Sequence, residues 1–404
     1  MKRFAFENIK VVDFSWVGVG PITAKYLADH GAEVIRIDSS VRPDVLRLAP
    51  PWKDKKPGIN RSQFYANYNS SKYGISLDLG KPQAREIAKK LIARADVVTE
   101  SFTPRVMKGW GLDYEELRKI KPDLIMLSTC QQGQTGPHAL YRGYGQLMAA
   151  LAGFYSVTGW PDGDPVPIYG AYTDFISPRF AATALIAALD YKRRTGKGQY
   201  IDLSQFEASL HFLAPPLLDY MVNGRIMKRR GNHSENAAPH GAYLCLGDDR
   251  WCVIAVSTDE EWKAFCQVIG NPEWTHDPKF ATLQGRLEHV EELDRLVETW
   301  TQNYPPEEVM ALMQAAGVPV GVVQSCEDLH HDPQLKHRNF FVWLNHTEVG
   351  MSPYDGLQFI LSRTPGELRM PAPCIGEHND YVFKQILGMS DEEVQRLIEE
   401  EVIN

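Results

Sequence analysis

The first forty residues contain a strand, a helix and a second strand in direct succession. Residues 10–15 have the apolar character of a short buried strand, and residues 33–38 have that of a second one. Between them, Pro21 suits the start of a helix and Gly31 suits its end. Two strands joined through a helix pair in parallel, and parallel sheets need helices on both faces. This segment therefore predicts an α/β fold.

The same alternation recurs further along the chain. Helical patterns over residues 83–95 and 113–120 lead to strands at residues 96–100 and 123–128. Because the whole chain has 404 residues, more than one simple core is expected.

A long helix is predicted over residues 178–194. Ser177 is a suitable N-cap, and Pro178 fits the first helical position. Asp174 lies just before this predicted helix. A helix N-terminus favours an ionised carboxylate, and such a carboxylate can act as a covalent nucleophile. Asp174 is therefore a candidate catalytic residue, and the alternative is an ordinary loop aspartate.

The pattern of elements changes after about residue 225. A β-hairpin is predicted over residues 241–257 with its turn at residues 247–249. Further helices are expected at residues 259–269, 286–301 and 306–316, a strand at 318–324, and two tail helices that begin near Asp380 and Asp391. A smaller α+β domain over residues 225–325 is thus expected as an insertion in the α/β domain.

Charge and hydrophobicity exclude several classes of partner. The net charge of -8 argues against nucleic acid, which requires a basic face. The longest apolar run, residues 180–189, is shorter than the roughly 18 residues that cross a membrane. Residues 1–7 carry charges without a following apolar segment, so no secretory signal is expected. Six scattered cysteines fit reduced thiols in the cytoplasm, and the pair His330 and His331 lacks the spacing of a metal site.

Two weaker motifs near the N-terminus leave alternatives open. Gly18 and Gly20 follow the first strand, but Thr23 stands where a dinucleotide fingerprint has its third glycine. With Asp38 as the acidic residue, a nicotinamide dehydrogenase and an ordinary strand-to-helix turn are both compatible with this pattern. Lys72 precedes a strand, where it could pair with a phosphate or lie exposed.

Taken in order, these segments resemble the family III CoA-transferases, which include formyl-CoA transferase and carnitine CoA-transferase (CaiB/BaiF type). The resemblance covers most of the chain, and its most specific stretch is Gly-Gln-Thr-Gly-Pro at residues 133–137. The matching stretches are residues 13–21, 27–38, 72–79, 95–102, 133–137, 158–163 and 195–199, together with Asp174.

The resemblance implies an architecture and a set of substrates. It implies a doubly wound, Rossmann-like large domain, a smaller α+β domain and two chains interlocked as a dimer. Residues 1–224 would form the first part of the CoA-binding large domain, residues 225–325 the small domain, and residues 326–404 would return to the large domain. A heterodimer with a related chain is the alternative to a homodimer. An acyl-CoA and a free carboxylic acid are the implied substrates, and no metal or redox cofactor is required.

The resemblance also assigns roles to individual residues. Asp174 occupies the position of the nucleophile that attacks the thioester, forming a mixed anhydride and then an aspartyl-CoA thioester. The implied CoA contacts are Val17, Lys72, Ser101, Phe102 and Tyr144. Relatives often carry arginines where this chain has Ser39, Ser40 and Gly109, and the cations nearby are Arg42, Arg105 and Lys108. Candidate oxyanion-binding loops lie near Gly231 and Gly241.

Two alternatives share this fold. An acyl-CoA racemase needs a base, but the segment that carries a histidine in racemases is here Gly143, Tyr144 and Gly145. A non-catalytic partner subunit is the other alternative, although Asp174 is intact.

The acid substrate is suggested by three aromatic residues. If Trp16, Trp110 and Phe175 line the acyl pocket, the pocket suits an aromatic or medium-sized acid, as in the benzylsuccinate CoA-transferase branch, with succinyl-CoA as donor. The alternative is that these aromatics belong to the core. Arg105 or Lys108 could pair with the second carboxylate of a dicarboxylic acid.

Overall fold

The computed structural model describes residues 4–404. Residues 1–3, part of the segment in which no secretory signal is expected, lie outside the described residues. The chain divides into two compact units. The first contains the residues up to Phe154, Pro167–Gly224 and Gln334–Asn404, and the second contains Tyr155–Val166 and Arg225–Pro333.

A six-stranded parallel sheet forms the centre of the first unit. Its strand order is β3-β2-β1-β4-β5-β6, so β1 pairs with β2 on one side and with β4 on the other. The chain reverses its direction of travel across the sheet between β1 and β4, and ligands of open α/β sheets bind at such a reversal, beyond the carboxyl ends of the strands. The strands are β1 (Lys10–Asp13), β2 (Glu33–Asp38), β3 (Tyr73–Ser76), β4 (Val97–Glu100), β5 (Ile125–Cys130) and β6 (Tyr200–Ser204).

Helices pack against both faces of this sheet, because successive strand residues point to opposite sides. Val12 of β1 belongs to a core with Ile87 and Leu117, whereas its neighbour Val11 packs in a second core with Leu27 and Leu185. The helices of this part are α1 (Val19–Asp29), α2 (Gln63–Tyr68), α3 (Pro82–Ile92), α4 (Arg105–Trp110), α5 (Tyr114–Ile120), α6 (Gly145–Leu151), α7 (Phe154–Val157), α8 (Tyr172–Thr195), α9 (Gln205–Leu210) and α10 (Ala214–Asn223).

Helix α8 begins six residues earlier than the sequence predicts. Ser177 is not an N-cap, and Pro178 lies inside the helix. Proline has no N–H, so the helical bond to the carbonyl oxygen of Asp174 is missing. Ile176 and Ser177 are buried, and burial of this first segment overrides the local signal for a helix start. Asp174 therefore lies in the first turn of α8 and not in a preceding loop.

The C-terminal part of the first unit adds a hairpin that the sequence did not reveal. The strands β10 (Phe341–His346) and β11 (Gly350–Asp355) pair in antiparallel fashion. The first predicted tail helix is a six-residue π-helix, Tyr381–Ile386, and the second is α17 (Asp391–Glu399). Val382 of the π-helix and Leu397 of α17 pack in the same core as β1.

The second unit is an α+β structure with its own core. The predicted hairpin is confirmed as β7 (His240–Leu244) and β8 (Trp251–Ala255), and β9 (Val320–Val322) extends the sheet. One predicted helix is in fact two, because the chain is not helical at His289. The helices are α11 (Asp259–Val268), α12 (Leu283–Glu288), α13 (Val290–Thr301), α14 (Pro306–Ala315), α15 (Cys326–His331) and α16 (Pro333–His337), the last of which continues into the first unit.

Residues 155–166 belong to the second unit, although the sequence-based division placed them in the large domain. The backbone N–H of Gly231 donates to Gly159, and the Arg229 guanidinium donates to the carbonyl oxygen of Gly163 at 2.9 Å. Contacts between segments distant in sequence thus determine this membership. In the part of the chain that the structure describes, every helix is too short or too polar to cross a bilayer.

Candidate active site

The turn between β1 and α1 is fixed by hydrogen bonds to its backbone. The Trp16 N–H donates to the hydroxyl of Ser101 at 2.7 Å, and that hydroxyl donates back to the Trp16 carbonyl oxygen at 3.1 Å. The Val17 N–H donates to both carboxylate oxygens of Asp44, each at 3.2 Å. These bonds hold Val17 at a φ of 65°, a left-handed conformation that is costly for a β-branched residue.

Buried charges lie beneath this turn. Arg36 pairs with Asp44 at 2.7 Å, and Lys72 pairs with Asp13 at 2.9 Å. Burial alone would raise the pKa of Asp13, but the neighbouring Lys72 and Arg36 hold it down to about 2. The Lys72 ammonium also donates to the Pro21 carbonyl oxygen and to the Asn69 side chain, both at 2.9 Å. All three N–H groups of the Lys72 ammonium thus donate to acceptors inside the fold. Burial lowers the pKa of Lys72 to about 8.

The Asp174 carboxyl group lies between two glycines. A Cβ atom on Gly18 would be 2.9 Å from the Asp174 Cβ, and one on Gly145 would be 2.6 Å from Oδ1. The Thr173 hydroxyl donates to the Gly145 carbonyl oxygen at 3.1 Å and holds this approach in place. Within residues 4–404 the Asp174 carboxyl group has no hydrogen bond or ion pair.

Burial decides the protonation of this isolated group. The Asp174 side chain is 7% exposed, and desolvation raises its pKa from 3.8 to about 7. The helix N-terminus favours ionisation of Asp174, whereas burial without a hydrogen-bond partner opposes it. Near pH 7 both the acid and the poorly solvated carboxylate are populated.

A cavity of about 650 Å³ contains Asp174. It is bounded by the turn after β1, by Ser101 and Phe102 after β4, by the end of β5 and by the loop of residues 131–144. All these segments follow the carboxyl ends of parallel strands next to the reversal point, where such sheets bind ligands. The cavity is large enough for part of an extended cofactor-sized substrate.

The structure brings some of the predicted site residues together and separates others. Val17, Ser101, Phe102 and Tyr144 line the cavity with Asp174. The remaining predicted contacts lie elsewhere: Arg42 lines a second cavity of about 490 Å³, Lys72 is fully buried, and Arg105 and Lys108 are exposed and line neither cavity.

The two cavities share Trp16 and Phe102, which stack edge to face at 5.4 Å. Of the three aromatics expected around the acyl pocket, Trp16 alone lines the Asp174 cavity, whereas Trp110 faces the second cavity and Phe175 lines neither. The cavity is nevertheless rich in aromatic side chains, because Phe102, Tyr141 and Tyr144 line it together with Trp16.

Sequence reasoning missed Arg142. It is the one lysine or arginine among the described residues that line the Asp174 cavity, and no ion pair within residues 4–404 neutralises it. The glycine- and glutamine-rich composition of residues 130–145 indicated a functional loop, but it did not single out this side chain.

Asp38, the acidic residue of the dinucleotide-binding alternative, already has hydrogen-bond partners inside the protein. The Asp38 carboxylate is buried, accepts a hydrogen bond from Arg47 Nε at 2.7 Å and accepts another from the Ser39 N–H at 2.9 Å. Among residues 4–404 no group of three or more histidine, cysteine or acidic side chains is arranged to hold a metal ion.

The profile match and the fold place this chain among the CoA-transferases. The chain belongs to CoA-transferase family III, whose profile matches residues 6–379. It is similar to succinyl-CoA–D-citramalate CoA-transferase of Chloroflexus aurantiacus, with 32% identity over 397 residues and 98% of each chain covered. It is also similar to the beta subunit of succinyl-CoA–L-malate CoA-transferase of the same organism, with 29% identity and 98% of this chain and 97% of that one covered.

The fold has a close counterpart among solved structures. A CaiB/BaiF family protein from Brucella suis superposes with a TM-score of 0.87 and 29% identity, covering 95% of this chain and all of the other. The chain is thus an enzyme of the CoA-transferase class, and its fold is the mixed α/β fold of that family.

Proposed function

We propose that this enzyme transfers CoA from an acyl-CoA to a free dicarboxylic acid, with Asp174 as the covalent carrier. The observation that carries the proposal is the unpaired Asp174 carboxyl group, buried between Gly18 and Gly145 in a cavity at the carboxyl ends of the strands. A poorly solvated carboxylate is a better nucleophile than a hydrated one, and nothing in its surroundings ties up its lone pairs.

The reaction proceeds in two symmetric halves. The ionised Asp174 attacks the thioester carbonyl, expels CoA thiolate and forms a mixed anhydride. The thiolate then attacks the aspartyl carbonyl, which releases the first acid and leaves an aspartyl-CoA thioester. The acceptor carboxylate repeats these steps in reverse and regenerates the free Asp174. Backbone N–H groups are needed to stabilise the tetrahedral oxyanions.

A racemase is disfavoured by the composition of the cavity. Proton removal from the α-carbon needs a base near the acyl group, but no histidine is among the described residues that line the Asp174 cavity. Tyr144 stands where racemases of this fold carry their histidine, and a tyrosine has an ordinary pKa near 10.

The acid substrate is inferred from Arg142 and from the relatives. In a dicarboxylic acid one carboxylate reacts at Asp174 and the second needs a cation, and Arg142 is available in the same cavity. Succinyl, citramalate and malate, which appear in the names of the similar enzymes, are all dicarboxylic. Succinyl-CoA therefore stays the proposed donor, and a dicarboxylic acid replaces the aromatic acid as the proposed acceptor.

We also propose that two copies of this chain associate. Helix α10 has no buried residue, and its apolar side chains Leu218, Met221 and Val222 are 56%, 77% and 78% exposed. An apolar helix face of this size is the mark of an interface. A second copy of this chain is the proposed occupant, in line with the dimer that the resemblance implies.

The experiment that tests the function follows CoA between acids. The purified chain is incubated with succinyl-CoA and a panel of mono- and dicarboxylic acids, and new thioesters are read by mass spectrometry. Asp174→Ala should abolish transfer while CoA binding persists, and hydroxylamine should trap wild-type Asp174 as its hydroxamate. An active Asp174→Ala variant, or transfer that appears only when a second protein is added, would contradict the proposal.

A substitution of Arg142 distinguishes binding of the second carboxylate from binding of CoA. Arg142→Gln should reduce kcat/KM for dicarboxylic acceptors about 100-fold, with little change for a monocarboxylic acid such as butyrate. Arg105→Gln should leave kcat/KM unchanged for both classes of acid, because Arg105 does not line the cavity. A rise in the KM for acetyl-CoA as donor, whose acyl group has no second carboxylate, would instead assign Arg142 to the CoA phosphates.

A further inference from the structure

Gln134 connects the carboxyl ends of two strands that are not neighbours in the sheet, one through its side chain and the other through its backbone. Its carboxamide nitrogen donates to Glu100 Oε1 of β4 at 3.3 Å. Its backbone N–H donates to both carboxylate oxygens of Asp202 of β6, at 2.9 and 3.0 Å. Strand β5 lies between β4 and β6, so Gln134 spans the end of β5 and anchors the loop that leaves it.

Glu100 and Gln134 together hold both backbone groups of Phe102. The Phe102 N–H donates to Glu100 Oε2 at 2.7 Å, and the Phe102 carbonyl oxygen accepts from the Gln134 carboxamide at 3.2 Å. Phe102 lines both cavities, and its neighbour Ser101 fixes the backbone of Trp16. The pair thus fixes one wall of the Asp174 cavity through backbone hydrogen bonds.

Glu100 and Gln134 also hold the loop of residues 131–144, which lines the same cavity as Phe102. Residues 131–144 run from β5 to α6, and much of the cavity lining comes from them. The carbonyl oxygen of Gln131 accepts the Phe206 N–H at 2.9 Å, and Gln134 is tied to β4 and β6 three residues later. Glu100 itself is 2% exposed and cannot exchange these partners for water.

We propose that Gln134 and Glu100 are positioning residues that join the Phe102 wall to the loop of residues 131–144 and so preform the surface that binds the acyl-CoA thioester. This proposal rests on the proposed function. Neither side chain lines the Asp174 cavity, so neither touches the reacting atoms. Their loss should therefore weaken thioester binding more than it slows the chemical steps.

The first test removes the bridge without changing the length of the side chain greatly. Gln134→Leu should raise the KM for succinyl-CoA and the calorimetric Kd for free CoA about tenfold, with kcat changed less than about threefold. Gln395→Leu, the same replacement on the exposed face of α17, should leave all three values unchanged. Wild-type values for Gln134→Leu, or a lower kcat at unchanged KM, would overturn the proposal.

A double-mutant cycle tests whether the two residues act as one unit. In Glu100→Gln one of the two carboxylate oxygens becomes an NH2 donor, which then faces either the Phe102 N–H or the donor group of the Gln134 carboxamide. Each single variant should therefore weaken CoA binding about tenfold, and Glu100→Gln/Gln134→Leu should show about the same tenfold effect rather than their product. A hundredfold effect in the double variant would show independent roles.

A pH readout separates this pairing from a general defect in folding. In Gln134→Glu two carboxyl groups face each other, and at low pH they can share one proton. The other titratable groups around Glu100 are Asp202, Tyr200 and Cys130, and burial raises the pKa of Tyr200 and of Cys130 to about 12, so both stay uncharged.

The CoA affinity of Gln134→Glu should consequently be weakest at pH 8 and recover severalfold toward that of the wild type at pH 5.5. Equal weakening at both pH values would contradict the proposal. CoA binding is measured directly in this experiment, so a wild-type enzyme that binds CoA but transfers none would refute the proposed function and not the role of Gln134.

Discussion

Gly145 lies directly against the carboxyl group of Asp174, since a Cβ atom at this position would be 2.6 Å from Oδ1 of Asp174 and 2.7 Å from its Cγ. Gly18 approaches the same side chain from the turn after β1. Two backbone segments far apart in sequence thus define the position of one carboxyl group. Because neither glycine has a side chain, the Asp174 carboxyl group fits between the two backbone segments, and neither glycine donates a side-chain hydrogen bond to its oxygens.

Gly145→Ala should therefore displace the nucleophile. Because a misplacement of about 1 Å can cost about 100-fold in rate, we expect kcat to fall about 100-fold with little change in the Kd for CoA. Gly145 is the first residue of α6 and has no left-handed φ, so alanine suits its own backbone conformation, although the new Cβ would also lie 2.7 Å from the Ala171 Cβ and press on the residues just before Asp174. Gly109→Ala, where a Cβ meets open space, is the matched control and should retain full activity. Wild-type kcat in Gly145→Ala would show that Asp174 is not confined here.

Asp174 should make the stability of the fold depend on pH. Its pKa is raised from 3.8 to about 7, so the folded state binds more protons than the unfolded state between these values. Its contribution is most favourable below pH 4 and is lost as the pH rises toward 7, by up to about 4 kcal/mol. Asp174→Asn should thus gain several degrees in melting temperature over the wild type between pH 5 and pH 8.

Melting curves from pH 5 to pH 8 test this dependence. Asp248→Asn, in the exposed turn after β7, should show a constant difference from the wild type. A constant difference for Asp174→Asn as well would mean that the carboxyl group ionises in the folded protein as easily as in the unfolded chain.

Lys72 should prove to be a stabilising residue rather than a phosphate contact. Lys72→Met leaves Asp13 without one of its two cationic partners and deprives two further buried oxygens of a donor. Loss of one partner of a buried pair costs about 3–5 kcal/mol, so the denaturant midpoint should fall strongly. Asp13→Asn/Lys72→Met should recover part of this loss. If the double variant is stable but binds CoA much more weakly, Lys72 binds CoA directly.

The apolar face of α10 should be covered in solution. Met221→Asp places a charge on that face and should shift the protein toward a monomer, as measured by light scattering across a range of concentrations. Asn223→Asp adds the same charge at the end of the same helix and should leave the oligomeric state unchanged. A monomeric wild-type protein would contradict the proposed dimer.

Local patterns identified the regular elements where backbone chemistry and side-chain pattern agree. β2 spans the residues expected of it, and the hairpin of β7 and β8 turns where the glycine and aspartates indicate. They failed where packing opposes the local signal. Ser177 and Pro178 carry every sign of a helix start, yet α8 begins at Tyr172 because the preceding residues are buried.

The order of motifs along the chain identified the family and singled out Asp174, because both depend on residue type and spacing alone. The surroundings of Asp174 depend on which distant segments meet. The sequence suggested that Lys72 binds a phosphate, but in the folded protein its ammonium donates to Asp13, Pro21 and Asn69. Arg142 is inconspicuous in the sequence and yet lines the cavity.

The sequence by itself therefore determined the parallel α/β fold and the family, and it predicted Asp174 as the nucleophile. The tertiary structure decided the pKa of Asp174, the glycines that confine it and the cation that shares its cavity. The physical reason is that desolvation and close contact are properties of a three-dimensional neighbourhood. Gly18 lies more than a hundred residues before Gly145, and helices α6 and α7 separate Gly145 from Asp174. Only folding brings the three residues within contact distance.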